Sequence, residues 1–303
     1  MPGTPRHDVR AAAPDSAVTT IAARAPEADV LSLDAADLET IDFLVPTPDR
    51  PDVLDRLPTL TRVAVVQTLL AGTEWVEAAV PAQATLCSAR GARDGSVAEW
   101  IVGALLGVST RQLEFAYRRE WEPGPGIDDL ESWTVLIVGM GSIGHRVAEL
   151  LTPFRSRVVG VVSRARDGLH GIDELGALLP DADAVVLLTP LNDATRGLIG
   201  AAELAAMDDG ALLVNAARGP IVDHDALLAE VTSGRLRAVL DVTDPEPLPA
   251  GDPLWTAPGV RCITPHFAGG SPLSVERSAE LAGDQLARWC AGEPLLNVVR
   301  GGA

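Results

Sequence analysis

The residues of this chain best placed to do chemistry are a histidine, an arginine and a few carboxylates, each following an apolar run. His266 stands in Ile263-Thr-Pro-His-Phe-Ala-Gly-Gly270, after a strand pattern and before small residues that allow close backbone approach. An imidazole titrates near working pH, so a histidine placed this way can exchange a proton with an alcohol or carbonyl oxygen. Asp241-Val-Thr-Asp-Pro-Glu-Pro247 offers Asp244 and Glu246 as partners for its other ring nitrogen, and spacing does not choose between them. Arg218, in Asn215-Ala-Ala-Arg218, closes another apolar run. The other histidines read as surface residues: His7 in a polar tail, His145 on a helix, His170 in a glycine-flanked loop, and His224 between Asp223 and Asp225.

A site of another kind lies in Thr134-Val-Leu-Ile-Val-Gly-Met-Gly-Ser-Ile-Gly-His145. A β-branched run leads into Gly139-x-Gly141-x-x-Gly144, and a helical pattern follows through Ala148, Leu150 and Leu151. Strand, tight turn and helix in that order suit a dinucleotide pyrophosphate: Gly139 permits the turn, Gly141 admits the phosphates, and Gly144 lets the helix pack close. The N–H groups of Ser142 and Ile143 and the positive end of the helix dipole then face the anion. About 20 residues past the turn, where a strict NAD site carries a carboxylate, this chain has Ser163-Arg164-Ala-Arg166. A carboxylate there would repel a 2′-phosphate, whereas a serine hydroxyl and an arginine suit one. NADP is therefore expected in preference to NAD.

A sheet must hold these residues together. Strand patterns recur at Thr134–Val138, Arg157–Val162, Ala184–Leu188, Ala211–Asn215, Arg237–Leu240 and Val260–Ile263, with helical segments between most of them. That alternation predicts an α/β fold with a doubly wound parallel Rossmann sheet, whose ligands bind beyond the carboxyl ends of the strands. Gly139–Gly144, Ser163-Arg164, Thr189-Pro190, Asn215–Arg218, Asp241 and His266 all fall at such ends. The first hundred residues predict a second, smaller flavodoxin-like α/β domain. Its strands are expected at Val18–Ala22, Ile41–Val45, Val63–Gln67 and Ala84–Cys87, and its helices at Arg50–Leu57 and Glu74–Val80. Ser96-Val-Ala-Glu99 reads as a capping box opening a long apolar helix towards Arg119, ended by Trp121–Gly126. A last helix, Ser274–Cys290, returns to the first unit. The expected domains are 1–94 with 272–303, a discontinuous substrate domain, and 95–271, a dinucleotide-binding domain.

Composition sets the outer bounds. A chain of 303 residues is comfortable for two domains, and a net charge of −18 argues against nucleic-acid or acidic-membrane partners. All 24 basic residues are arginine. Cys87, Cys262 and Cys290 are odd in number and widely spaced, which fits reduced thiols in a cytoplasmic protein and no metal site. No segment has the length of a membrane span, and Met1 to Ser16 has no signal-peptide core. A soluble, cytoplasmic protein is expected.

Together the glycine turn, Asn215-Ala-Ala-Arg-Gly-Pro-Ile-Val-Asp223, Asp241-Val-x-x-x-Glu246-Pro and Thr264-Pro-His-x-Ala268 resemble the D-isomer-specific 2-hydroxyacid dehydrogenases. The resemblance covers about Ala92–Ser271, and Gln67-Thr-Leu-Leu-Ala-Gly72 is similar to the family's substrate loop. It implies hydride transfer between nicotinamide and a small 2-keto acid or D-2-hydroxy acid, of glyoxylate or hydroxypyruvate type. By the same resemblance His266 is the proton donor, Glu246 its partner, and Arg218 the group that binds the substrate carboxylate. Asp241 holds the nicotinamide amide, and Thr189, Ala216 and Ala268 line the cofactor. Backbone amides of Leu70, Ala71 and Gly72, beside a helix opening at Thr73, are expected to receive the substrate carboxylate. Trp75 departs from the small or polar residues usual after this loop. The family implies a homodimer, with the Ser96 helix contributing. Rival readings are a phosphoglycerate dehydrogenase-like enzyme and a nicotinamide-sensing corepressor-like scaffold.

Overall fold

The structure is a computed structural model that describes residues 4–116, 118–121, 124 and 126–302. The strands are β1 (Arg10–Ala13), β2 (Asp29–Ser32), β3 (Phe43–Leu44), β4 (Val65–Gln67), β5 (Thr85–Cys87), β6 (Thr134–Val138), β7 (Arg157–Val162), β8 (His170–Gly171), β9 (Ala184–Leu187), β10 (Leu212–Asn215), β11 (Arg237–Leu240), β12 (Val260–Ile263) and β13 (Val298–Arg300). The α-helices are α1 (Asp15–Arg24), α2 (Pro51–Arg56), α3 (Asp94–Ser109), α4 (Gln112–Phe115), α5 (Ser142–Leu151), α6 (Leu175–Leu178), α7 (Ala201–Ala206), α8 (His224–Ser233) and α9 (Pro272–Cys290). They fall into two compact units, Met1–Arg93 with Gly270–Ala303, and Asp94–Gly269.

The first unit has a sheet of order β13-β5-β4-β3-β1-β2, parallel except for β13. Its five parallel strands follow the flavodoxin-like order. The pleat divides β1 between two core layers: Ala11 and Ala13 join Ile21 and Leu286, while Ala12 joins Leu44 and Leu57. Helix α9 packs against α1 so closely that a Cβ at Gly283 would lie 2.6 Å from Arg24 Cβ.

The second unit has a seven-stranded, wholly parallel sheet of order β12-β11-β10-β9-β6-β7-β8. Chain order reverses between β6 and β9, the switch point of a doubly wound sheet. On β6, Leu136 and Val138 face one core layer and Val135 and Ile137 the other. Strands β9 and β10 are buried throughout, as helices on both faces require.

Several local expectations fail. Val18–Ala22 lies inside α1, not in a strand: Ala17 and Ile21 share one buried helical face, with Asp15 and Arg24 at the ends where the dipole favours them. The strand is the preceding Arg-Ala-Ala-Ala. Glu74–Val80 forms successive turns rather than a helix, so no helix opens at Thr73. The capping box at Ser96 is absent as such, because α3 begins at Asp94 and Ser96 is already helical. That helix stops at Ser109 and not near Arg119. Ser109 and Thr110 both return their hydroxyls to the Leu106 carbonyl, and Arg111 takes φ +58°. Of the terminator expected at Trp121–Gly126, Glu122, Pro123 and Pro125 lie outside the described residues.

Candidate active site

Register in the second unit brings the candidate residues together. Val161, Val138, Leu187, Asn215, Leu240 and Ile263 pair in succession across the sheet. The segments following them therefore emerge side by side on one edge. From the glycine turn after β6 to the His266 loop after β12 is four strands, about 19 Å at roughly 4.8 Å each. That is the scale of an extended dinucleotide.

At one end of this row, His266 Nδ1 lies 2.6 Å from Glu246 Oε1, both side chains being part-exposed at 45% and 41%. Asp244 makes no such contact among the described residues. His266 has φ +54°, a left-handed conformation that costs a β-carbon-bearing residue energy. Its N–H donates to the carbonyls of Asp241 (2.8 Å) and Thr264 (3.0 Å). Beneath the loop, Asp241 is 3% exposed. Its Oδ1 accepts from Thr264 Oγ1 (2.6 Å) and Phe267 N–H (3.0 Å), and its Oδ2 from Ala268 N–H (3.0 Å). Beside the pair is a hollow lined largely by Pro247, Leu248, Trp255 and Ile263.

One strand from Asp241 and two from the His266 loop, Asn215 is buried and shapes the Arg218 loop. Its Oδ1 accepts from Ala217 N–H (3.1 Å) and its Nδ2 donates to the Arg218 carbonyl (3.1 Å). Gly219 packs flat against the Thr243 carbonyl, where any Cβ would collide with backbone.

The other end fits a dinucleotide. Gly139 has φ +115°, and a Cβ there would lie 2.6 Å from the Leu188 carbonyl carbon. A Cβ at Gly144 would lie 2.5 Å from the Gly139 oxygen, so α5 can seat against β6 only with glycine there. A Cβ at Gly141 meets nothing within 4 Å, so protein packing does not demand this glycine. Its bare backbone instead leaves room for phosphate above the first-turn amides of Ser142 and Ile143. Thr189 Oγ1, just past β9, is buried with no partner among the described residues. Past β7, Ser163 and Arg164 are exposed, and neither Arg164 nor Arg166 has a side-chain ion pair among the described residues. These residues fit a nicotinamide dinucleotide.

The family model for the D-isomer specific 2-hydroxyacid dehydrogenase NAD-binding domain matches residues 106–268. The chain belongs to the D-isomer specific 2-hydroxyacid dehydrogenases. It is 31% identical over 284 residues to a glycerate dehydrogenase of Methylorubrum extorquens, covering 89% of this chain and 87% of that one. It is 34% identical over 206 residues, 63% of each chain, to glyoxylate/hydroxypyruvate reductase B of Citrobacter koseri. Among solved structures, an NADPH-dependent glyoxylate/hydroxypyruvate reductase of Sinorhizobium meliloti, in complex with NADP and sulfate, superposes with a TM-score of 0.81. That match has 27% identity and covers 96% of this chain and 98% of the other. This dehydrogenase therefore uses a nicotinamide cofactor and acts on 2-hydroxy or 2-keto acids.

In the first unit of the dehydrogenase, the loop after β4 is tied down by its carbonyls. Leu69 O accepts from Arg93 Nε (3.2 Å), Leu70 O from Thr68 Oγ1 (2.6 Å) and Ala89 N–H (2.9 Å), and Gly72 O from Trp75 Nε1 (3.2 Å). The amides of Leu70, Ala71 and Gly72 donate to nothing among the described residues. A row of such amides receives anions without any helix behind it. Elsewhere, His7 and His145 are exposed, His170 pairs with Glu174 at 2.9 Å, and half-buried His224 lies 3.5 Å from Asp252. Sequence reasoning gave Asn215 and Thr264 no role. The available signal was a polar residue at the mouth of an apolar strand, where a buried amide or hydroxyl must find a partner.

Proposed function

We propose that this dehydrogenase reduces a small 2-keto acid of the glyoxylate or hydroxypyruvate type to the D-2-hydroxy acid, with NADP preferred over NAD. The observation that carries the reading is the 2.6 Å contact between His266 Nδ1 and Glu246 Oε1, on the sheet edge that also presents Arg218. When bound, the nicotinamide supplies or accepts the hydride. Glu246 accepts the Nδ1–H of His266, which leaves Nε2–H to be given to the keto oxygen; the carboxylate also stabilises the imidazolium before that transfer. Arg218 holds the substrate carboxylate and stabilises the charge developing on the keto oxygen. The amides of Leu70, Ala71 and Gly72, which donate to nothing among the described residues, suit an anionic group such as a carboxylate. In the oxidative direction His266 takes the proton back along the same path.

The NADP preference is supported by Ser163 and by the guanidinium of Arg164, which has no ion pair among the described residues. Residues 1–94 with 272–303 serve as the substrate domain, and 95–271 as the cofactor domain. We infer a homodimer in which α3 takes part, because Trp100, Val102 and Leu106 on that helix are only part-buried. Three free cysteines support a reducing, cytoplasmic setting. A panel of glyoxylate, hydroxypyruvate, pyruvate and 3-phosphohydroxypyruvate with NADPH and NADH tests the reading through loss of reduced-nicotinamide absorbance. The highest kcat/KM is expected for hydroxypyruvate or glyoxylate with NADPH. Tight NADPH binding without turnover on any keto acid would favour a scaffold instead.

A further inference from the structure

We infer that Asp241 is a positioning residue for His266, its carboxylate serving to lock the loop that carries the imidazole. The proposal rests on His266 being the proton donor. His266 follows β12 in a short segment, Thr264–Ala268, held within its own backbone among the described residues by one bond, from His266 N–H to the Thr264 carbonyl at 3.0 Å. The left-handed backbone at His266, φ +54°, is a conformation this segment would leave if released. Three donors from the segment converge on one buried carboxylate: Thr264 Oγ1 at 2.6 Å and Phe267 N–H at 3.0 Å on Oδ1, and Ala268 N–H at 3.0 Å on Oδ2. They bracket His266 on both sides. The Asp241 carbonyl adds a fourth bond, accepting the His266 N–H at 2.8 Å. Hydrogen bonds to an ionised acceptor are the strong ones, and a carboxylate has acceptor sites enough for all three donors. An amide cannot replace it, because its NH₂ would face an N–H that also needs an acceptor.

Among the described residues the imidazole ring is meanwhile held at one point, by Glu246 at Nδ1. Asp241 sets where the ring is, and Glu246 sets how it is turned. Displacement of a catalytic group by about 1 Å can cost on the order of a hundredfold in rate, so releasing the loop is felt in the chemical step.

The test is Asp241→Asn, with Thr264→Val as a milder variant that removes one of the three bonds. Both are compared with wild type and His266→Ala in keto acid reduction. Binding of NADPH is followed separately, by fluorescence and without substrate. Asp241→Asn is expected to lose about a hundredfold in kcat, and Thr264→Val less. KM for the keto acid should stay within about twofold of wild type in both, and so should Kd for NADPH in Thr264→Val, whereas Asp241→Asn also alters the residue expected to hold the nicotinamide amide. In the cofactor-free protein, the imidazole NMR signals of His266 should broaden or split in Asp241→Asn. A kcat unchanged at saturating NADPH in Asp241→Asn, whatever its Kd, would overturn the proposal and leave Asp241 a cofactor contact alone. So would a lowered Tm with normal kcat, which means support of the fold alone. The underlying reading fails separately: His266→Ala would then turn over at the wild-type rate, whatever Asp241→Asn does.

Discussion

His266 is one of five histidines, and what separates it from the others is its company rather than its type. His170 also has a carboxylate at 2.9 Å, but that pair sits beside β8 on the far flank of the sheet. The pairing with Glu246 predicts the consequence of Glu246→Gln. Glutamine can still accept the Nδ1–H, but it cannot stabilise an imidazolium, so kcat should fall by roughly ten- to a hundredfold. That is part of the 10²–10⁴ that general acid catalysis contributes. Steady-state kinetics check it, and an unchanged kcat would point away from a carboxylate partner. On the proposed reading, Arg164 carries a preference for NADPH. Arg164→Asp removes a charge-assisted bond of about 1.5–3 kcal/mol and places a negative charge against the 2′-phosphate. NADPH should lose more than tenfold in kcat/KM while NADH changes little. A ratio that does not move would make Arg164 an ordinary surface charge.

Among the elements, those that hold the site were the easiest to read. Strands β6 and β7 are runs rich in β-branched residues, and β6 is buried at all but its first position. The first unit was harder, because Arg10–Ala13 has no β-branched residue and its alanines favour a helix in isolation. Val18-Thr-Thr-Ile21 invites a strand, yet it is the four-residue spacing of Ala17 and Ile21 that the core uses. Tertiary burial overrode propensity in both. Ser96-x-x-Glu99 failed differently: a capping box is a local pattern, and it matches inside a helix as readily as at the start of one. The Asp241 clamp was not legible at all, since its three donors lie more than twenty residues away along the chain. The glycine turn was legible, and it gives an element-scale prediction. Gly144→Ala puts a Cβ 2.5 Å from the Gly139 oxygen, so α5 must move off β6. Overpacking of this kind typically costs about 1–3 kcal/mol, and NADPH affinity should fall with it. Thermal unfolding and NADPH titration test this, and a variant matching wild type in both would mean that α5 does not seat as described.

For the molecule as a whole, buried thiols set a limit on alkaline stability. Burial pushes Cys87 on β5 and Cys290 at the end of α9 up to about 11, against the usual 9.0. A thiol whose folded pKa is raised contributes its full share of stability below the unfolded pKa, and that share is lost as pH rises. Stability should accordingly decline from about pH 9 towards 11, as the unfolded chain ionises first. Urea midpoints between pH 8 and 10.5 measure this, and Cys87→Ala with Cys290→Ala should flatten the slope. An equal slope in the double variant would assign the loss to other groups. The paired row of strand ends sets the glycine turn at one end and His266, the proposed proton donor, at the other. The most direct test of that role is the single-turnover rate of hydroxypyruvate reduction by NADPH-loaded protein, wild type against His266→Ala. The account predicts D-glycerate from the wild type and a rate lower by about 10²–10⁴ in the variant, with NADPH affinity unchanged. Equal rates in the two proteins would contradict it.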